Sequence, residues 1–291
     1  MTFAAPGFDE SLPQLSSTWT ADGSPGWPFV EAEALHEKWH PRNDERLARI
    51  CRFVADCLER HHPVTVEGCE HIPDGPALLV GNHGHLGYET ILFFAAVLRH
   101  TGCMPRGLVD RWLFQVPILG DLLIHTGAAS AHPSNAIRLL QQGHWVVCYP
   151  GGAREALKHS DDERYRLRWS KSMTFARLAL DLGVPIVPFA AAGVDDTFDV
   201  RGSYAGTGRI LLGHDEYDLP RLRGGRHGVL PRAVPFLFRF GRPFRPTRSY
   251  HPDTFEENVR ELHARVWAAS QKLLDRTVRT WLRRNASSLG H

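Results

Sequence analysis

Two kinds of apolar pattern run along the chain. Uninterrupted apolar runs at Ala77–Val80, Trp145–Tyr149 and Pro185–Ala192, bounded by turn-forming residues, predict short, fully buried strands. Val64–Glu67, Met104–Val109 and Ala233–Phe240 read as further strands. Thr90–Leu98 predicts a buried helix, Ser134–Gln142 a short one capped by Ser134, and Ser172–Leu182 an amphipathic one ended by Gly183. Toward the N-terminus, Phe29–Trp39 and Asn43–Arg60 predict two helices broken by Pro41. In the second, Asn43 is the N-cap and Leu47, Ile50, Cys51, Val54 and Leu58 keep helical spacing. Thr254–Arg284 predicts a long helix opened by a Thr254-x-x-Glu257 capping box.

Strands alternating with helices predict an α/β fold with a mainly parallel central sheet flanked by helices, N-terminal helices and a long C-terminal helix. The chain divides into a flexible N-terminal arm (1–27), N-terminal helices (28–62), an α/β core (63–250) and a C-terminal amphipathic helix (251–291). Lys158–Arg168 reads as a charged, mobile segment, and residues 200–232, rich in Gly, Arg and His, resist assignment.

Composition narrows the picture little. The 291 residues are 43% hydrophobic and 23% charged, an ordinary globular balance, and a formal charge of +2 gives no electrostatic reason to expect nucleic acid. The five cysteines form no Cys-x-x-Cys pair and read as reduced thiols. The N-terminus lacks the basic and apolar regions of a signal peptide, and no apolar stretch reaches the roughly 18 residues of a spanning helix.

Chemistry gathers where the first buried run ends, in Asn82-His-Gly-His-Leu-Gly-Tyr-Glu89. Ionisable residues between a strand and a helix stand where open α/β sheets place their sites. Two pairings are open: Gly84 and Gly87 let the chain turn so that Glu89 returns to His83, or an early helix start puts His85 and Glu89 at i and i+4. Either pair gives a carboxylate that fixes the tautomer of a histidine base. A second cluster, Tyr149-Pro-Gly-Gly-Ala-Arg-Glu-Ala-Leu157, ends another strand, and Gly151 and Gly152 there offer backbone N–H groups to a phosphate or oxyanion. Cys148 reads as a core thiol, and no Gly-x-Ser-x-Gly elbow is present.

Together these two blocks resemble those of the glycerolipid (lysophospholipid) acyltransferase superfamily, over about Val64 to Phe244. That family carries Asn-His-x4-Asp and Phe-Pro-Glu-Gly-Thr-Arg. The wider His-x5-Glu and the Pro-Gly-Gly-Ala-Arg-Glu found here are similar to the branch of phytyl ester synthases and type 2 diacylglycerol acyltransferases. The resemblance implies a glycerol-3-phosphate acyltransferase-like fold. It also implies transfer of a fatty acyl group from an acyl-CoA or acyl-carrier-protein thioester to a lipid alcohol, with no further cofactor. On it, His83 is the base, Glu89 its orienting carboxylate, and Arg154 the phosphate-contacting arginine. Arg111 falls where the second block ends in arginine, and Gly151 replaces the third block's glutamate. Val184-Pro-Ile-Val-Pro188 resembles the fourth block and serves packing.

Three other readings stay open. One is a lysophospholipid acceptor, bound by Arg111 and Arg154. The second is a metal-dependent hydrolase with His83 and His85 as ligands, completed from His125, His144 or His214. The third is a lipid-binding protein without catalysis. The apolar stretches 91–98 and 112–124 suit an acyl chain, and read also as plain core. Residues 265–284 carry six basic residues beside Trp267, Leu274, Val278 and Trp281, which predicts a helix lying on an anionic membrane surface. The protein is then expected on the cytoplasmic, inner face of a membrane.

Overall fold

The computed structural model describes residues 45–110, 113, 114, 120, 123, 127–169, 173–212, 217–225, 228, 230–246 and 252–286. The expected arm, the Phe29–Trp39 helix and the Asn43 cap lie outside the described residues, as do Arg111, His125, His214 and most of 112–124.

The apolar runs become the centre of a seven-stranded sheet. The strands are β1 (Val64–Glu67), β2 (Ala77–Gly81), β3 (Arg106–Val109), β4 (Ala129–Ser130), β5 (Trp145–Cys148), β6 (Ile186–Ala192) and β9 (Phe236–Phe240), in the order β1-β9-β6-β2-β5-β3-β4. The five strands from β6 to β4 run parallel, and β9 and β1 run against them at one edge. β2 and β6 are buried along their whole length because helices cover both faces of the sheet. Alternation along each strand sorts the core into two layers. Leu79, Val147, Val187 and Phe189 meet α2 (Thr90–Thr101), which packs beside α1 (Glu45–Glu59). Leu78, Val80, Val146 and Ile186 meet α3 (Pro133–Gln141), α5 (Thr174–Leu182) and α7 (Pro252–Asn285). The expected mainly parallel sheet and long C-terminal helix are therefore present.

Local signals hold unevenly. Gly183 ends α5 in the left-handed conformation, as expected. Helix α3, however, is capped by His132, whose side chain accepts from the Ser134 N–H, with Pro133 in the first turn. Helix α7 begins at Pro252, so Thr254 lies inside it and is not its cap.

Two expectations are corrected and one unassigned stretch takes shape. Lys158–Arg168 is tied down: Arg164 pairs with Asp161, Asp196 and Asp199, the Tyr165 N–H donates to Asp195 at 2.8 Å, and Leu167 N–H donates to Gln271 at 3.0 Å. Within 200–232, a two-stranded antiparallel sheet forms from β7 (Asp199–Tyr204) and β8 (Leu219–Arg223), with the short helix α6 (Thr207–Leu212). Leu274 and Trp281 of α7, assigned above to a membrane, are 1% exposed, and the Trp281 indole N–H donates to Pro235 O at 2.7 Å. That apolar face is covered by the protein's own sheet, leaving Trp267, Leu282 and the basic residues Arg265, Lys272, Arg276, Arg279 and Arg283 exposed.

One buried histidine gives the fold a pH dependence. His62 is fully buried, stacks on Phe236 at 4.6 Å, and donates from Nδ1 to Val234 O at 2.9 Å. Burial pushes its imidazole down from 6.5 to about 4. The unfolded chain binds a proton here that the folded protein excludes. This contribution is therefore intact above the unfolded value of about 6.5 and is lost as pH falls toward about 4. The thermal midpoint should drop between about pH 7 and 5. His62→Gln, which keeps a donor for Val234, should flatten part of that drop. An identical pH slope in the variant would exonerate His62.

Candidate active site

Past the end of β2 the chain stays locked to β6. The Asn82 side chain imitates a backbone amide, donating to Ala191 O at 3.0 Å and accepting from Ala191 N at 2.8 Å. That fixes where His83 begins. Gly84 is extended, and the turn His85–Gly87 then reverses the chain with Leu86 at φ 57° and Gly87 at φ 69°. Leu86 is strained there, by about 1–2 kcal/mol for a residue with a Cβ. The reversal sets Glu89 at the N-terminus of α2, where the helix dipole favours a carboxylate.

His83 Nδ1 donates to Glu89 Oε1 at 2.6 Å, so of the two open pairings the structure makes His83–Glu89. Gly84 is needed for space: a Cβ there would stand 2.7 Å from Glu89 Oε2. A Cβ on Gly87 would stand 2.9 Å from His83 Cε1. Tyr149 stacks on the imidazole with centroids 4.0 Å apart and planes within 8°. Glu89 is buried while the His83 side chain keeps 16% exposure, so Nε2 is the ring nitrogen left for a substrate. Burial pushes the Glu89 carboxyl up, but the charge and bond of His83, with the Gly84 and Glu89 N–H groups, outweigh it and hold the group below its ordinary value. In the neutral ring a carboxylate on Nδ1 holds the proton there, so Nε2 is the nitrogen that can accept one.

His85 does not join this pair. It is 1% exposed, neither ring nitrogen has a partner among the described residues, and burial pushes it down to about 4. His144, the candidate further ligand among the described residues, precedes β5 and so stands at the opposite end of the sheet. Among the described residues, no group of three His, Cys, Asp or Glu is placed to hold a metal. Burial pushes the Cys148 thiol up to about 12, which makes it inert, as a core cysteine should be.

The second cluster, Tyr149–Leu157, reaches the same point from β5. Gly152, at φ 49° and ψ −135°, turns the strand into the one-turn helix α4 (Ala153–Ala156). Its N–H donates to Tyr149 O at 2.9 Å, so it is engaged in the turn and not offered to an oxyanion, against the expectation above. Gly151 makes room for another side chain: a Cβ there would collide with the Glu155 carboxyl. Arg154 sits half-buried on α4. Helix α4, which carries Arg154 and follows Gly151 and Gly152, thus adjoins the turn after His83, whereas Arg111 falls outside the described residues.

Sequence reading missed two residues. Glu155 is fully buried; its Oε2 accepts the His83 N–H at 2.9 Å and its Oε1 accepts the Arg168 N–H at 2.8 Å. Burial pushes this carboxyl up, opposed by the Lys158 charge and those two N–H groups. Lys158, 1% exposed, donates to His83 O at 2.6 Å, Glu155 O at 2.8 Å and Asp195 Oδ1 at 3.0 Å. Their i and i+3 spacing directly after Gly-Gly was the available signal.

Residues 63–192 match the sequence model of the family described as Acyltransferase. The chain is 34% identical over 142 residues to the bovine (Bos taurus) "DGAT1/2-independent enzyme synthesizing storage lipids", covering 48% of this chain and 42% of that one. It is 27% identical over 246 residues to chloroplastic phytyl ester synthase 2 of Arabidopsis thaliana, covering 72% of this chain and 33% of the relative. The chain thus spans less than half the length of these relatives. A solved structure, the 1-acyl-sn-glycerophosphate (LPA) acyltransferase PlsC from Thermotoga maritima, is 15% identical with a TM-score of 0.48, over 81% of this chain and 87% of that one.

Proposed function

We propose, for a chain that belongs over residues 63–192 to the acyltransferase superfamily, that it moves a fatty acyl group from a thioester to a neutral lipid alcohol, with His83 as general base. The observation that carries this reading is the 2.6 Å bond from His83 Nδ1 to the buried Glu89. The alcohol proton passes to Nε2 as the oxygen attacks the thioester carbonyl. The tetrahedral intermediate then breaks its C–S bond, and the departing thiolate takes the proton from the imidazolium. Ester and thiol leave, and His83 is neutral again. Glu89 stabilises the transient imidazolium and holds its tautomer. The donor is the thioester of coenzyme A or of an acyl-carrier protein, with Arg154 as the contact for its phosphate.

A neutral acceptor is favoured because the Tyr149–Leu157 cluster holds no carboxylate free to organise a phosphate-bearing one. Gly151 has no side chain, and both oxygens of Glu155 are bonded to backbone N–H groups. The relatives named for phytyl esters and storage lipids fit that acceptor class. Equal amounts of lysophosphatidate and diacylglycerol, competing for one labelled acyl thioester, should yield mainly triacylglycerol. Predominant phosphatidate would sink the neutral-acceptor reading and leave acyl transfer standing. No acyl transfer to any alcohol would remove both.

A further inference from the structure

The imidazole of His83 is held by Glu89, but the residue that carries it lies just past the end of β2, where no sheet ladder fixes its peptide groups. We propose that Glu155 is a positioning residue for His83: its carboxylate, carried on α4 from the other strand, holds the His83 backbone N–H, and Gly151 is glycine to admit it.

Three independent observations converge on this. First, both oxygens of the Glu155 carboxylate are spent on backbone donors. It is fully buried, and its two oxygens bridge the backbone of the His83 loop, at 2.9 Å, to the backbone of Arg168, at 2.8 Å. A charged acceptor for two N–H donors gives bonds roughly twice as strong as neutral ones. Second, the strand end is shaped around it. Gly151 does not need glycine for its backbone, which lies outside the left-handed region, unlike Gly152 at φ 49°. It needs glycine for space, since any Cβ there would occupy the place of the Glu155 carboxyl. Third, the carbonyl of the same residue is held from just beyond that helix: Lys158, two residues past α4, donates to His83 O at 2.6 Å. Both polar backbone groups of His83 are thus bonded to side chains, Glu155 and Lys158, that lie 72 and 75 residues away in sequence.

The consequence concerns where Nε2 stands. Glu89 and Tyr149 fix the rotation of the ring, and Glu155 fixes the peptide from which the ring extends. A displacement of about 1 Å in a reacting group lowers rate by up to about 100-fold without changing what is bound. Because both of its oxygens are engaged with backbone, Glu155 acts on His83 and not on the lipid.

The proposal rests on His83 being the base, so its test reads the His83 site both with and without turnover. In Glu155→Gln, one of the two N–H groups must face an amide NH2, and the bridge fails. Per folded molecule, kcat should fall on the order of 10–100-fold, with the KM of donor and acceptor within about twofold of wild type. Glu155→Asp keeps the charge but is a methylene short, and should recover only part of that loss. The second readout is the downfield proton resonance of the His83–Glu89 bond, assigned by its disappearance in His83→Asn. It should move or broaden in Glu155→Gln, and equally in Gly151→Ala, which leaves Glu155 in the chain but takes its space. An unchanged resonance in Glu155→Gln overturns the proposal, as does a wild-type protein that lacks it. If that variant does not fold, Gly151→Ala decides by the same criterion. A chain that shows the expected resonance changes but transfers no acyl group would refute the proposed activity and uphold the positioning role.

Discussion

Replacing His83 should lower acyl transfer by roughly 10²–10⁴-fold, the usual worth of a positioned general base. Alanine is the blunter variant, because it leaves the carboxylate of Glu89 buried without its bond from His83 Nδ1. His83→Asn is cleaner. Its side-chain amide can still donate to Glu89, but it has no nitrogen that accepts a proton near neutral pH. Both variants should therefore show the same deep loss per folded molecule, with the alanine protein also less stable. Glu89→Gln should cost a smaller factor, since a neutral amide can still orient the ring but no longer stabilises the imidazolium. His85→Ala should cost least: the ring is buried, and its nitrogens bond none of the groups around His83. Initial rates with a labelled acyl thioester rank the four variants. A dead His85 variant beside an active His83→Asn would reverse the assignment.

The ranking follows from how the His-x5-Glu spacing closes. Five intervening residues are too many for one helical turn, and the structure absorbs them in a reversal at Leu86 and Gly87, both with positive φ. Glycine at 84 and 87 then lets the carboxylate and the ring approach to contact. The glycines of the motif are thus explained by distances to Glu89 and His83, and the histidine between them by neither.

Much of this was legible in the sequence. Ala77–Val80, Trp145–Cys148 and Ile186–Ala192 read as buried strands because a parallel sheet covered on both faces demands continuous apolar runs. The His83–Glu89 pairing was one of two readings, and backbone conformation at Leu86 decided it, which no spacing rule encodes. Three things were not legible, for one physical reason. Leu274 and Trp281 show by their spacing that a helix face is apolar, but not whether lipid or the protein's own sheet covers it. Glu155 and Lys158 stand near a charge-rich stretch that reads as solvated, yet their partners come from the loops after β2 and β6. The reversed direction of β9 beside β6 is likewise set by tertiary contacts alone. In each case the deciding partner is remote in sequence.

Lys158→Met should be the most destabilising of the substitutions considered, by about 3–5 kcal/mol, the usual cost of removing one partner of a buried ion pair. Lys158 and Asp195 are 1% and 0% exposed and stand 3.0 Å apart. The three ammonium protons have three acceptors: His83 O, Glu155 O and Asp195 Oδ1. Methionine has a matching length and fills the space, so the loss reports the charge and its bonds and not a cavity. What remains is a buried carboxylate at Asp195 that, among the described residues, keeps the Tyr165 N–H at 2.8 Å, and two carbonyls without the Lys158 donor. Much of the cost should therefore sit in the stranded Asp195 charge, and adding Asp195→Asn to Lys158→Met should restore part of the stability. Chemical denaturation of wild type, the single variant and the double variant measures both steps. A loss below about 1 kcal/mol, the range of exposed ion pairs, would mean that water reaches this cluster and that the His83 carbonyl is not held as described.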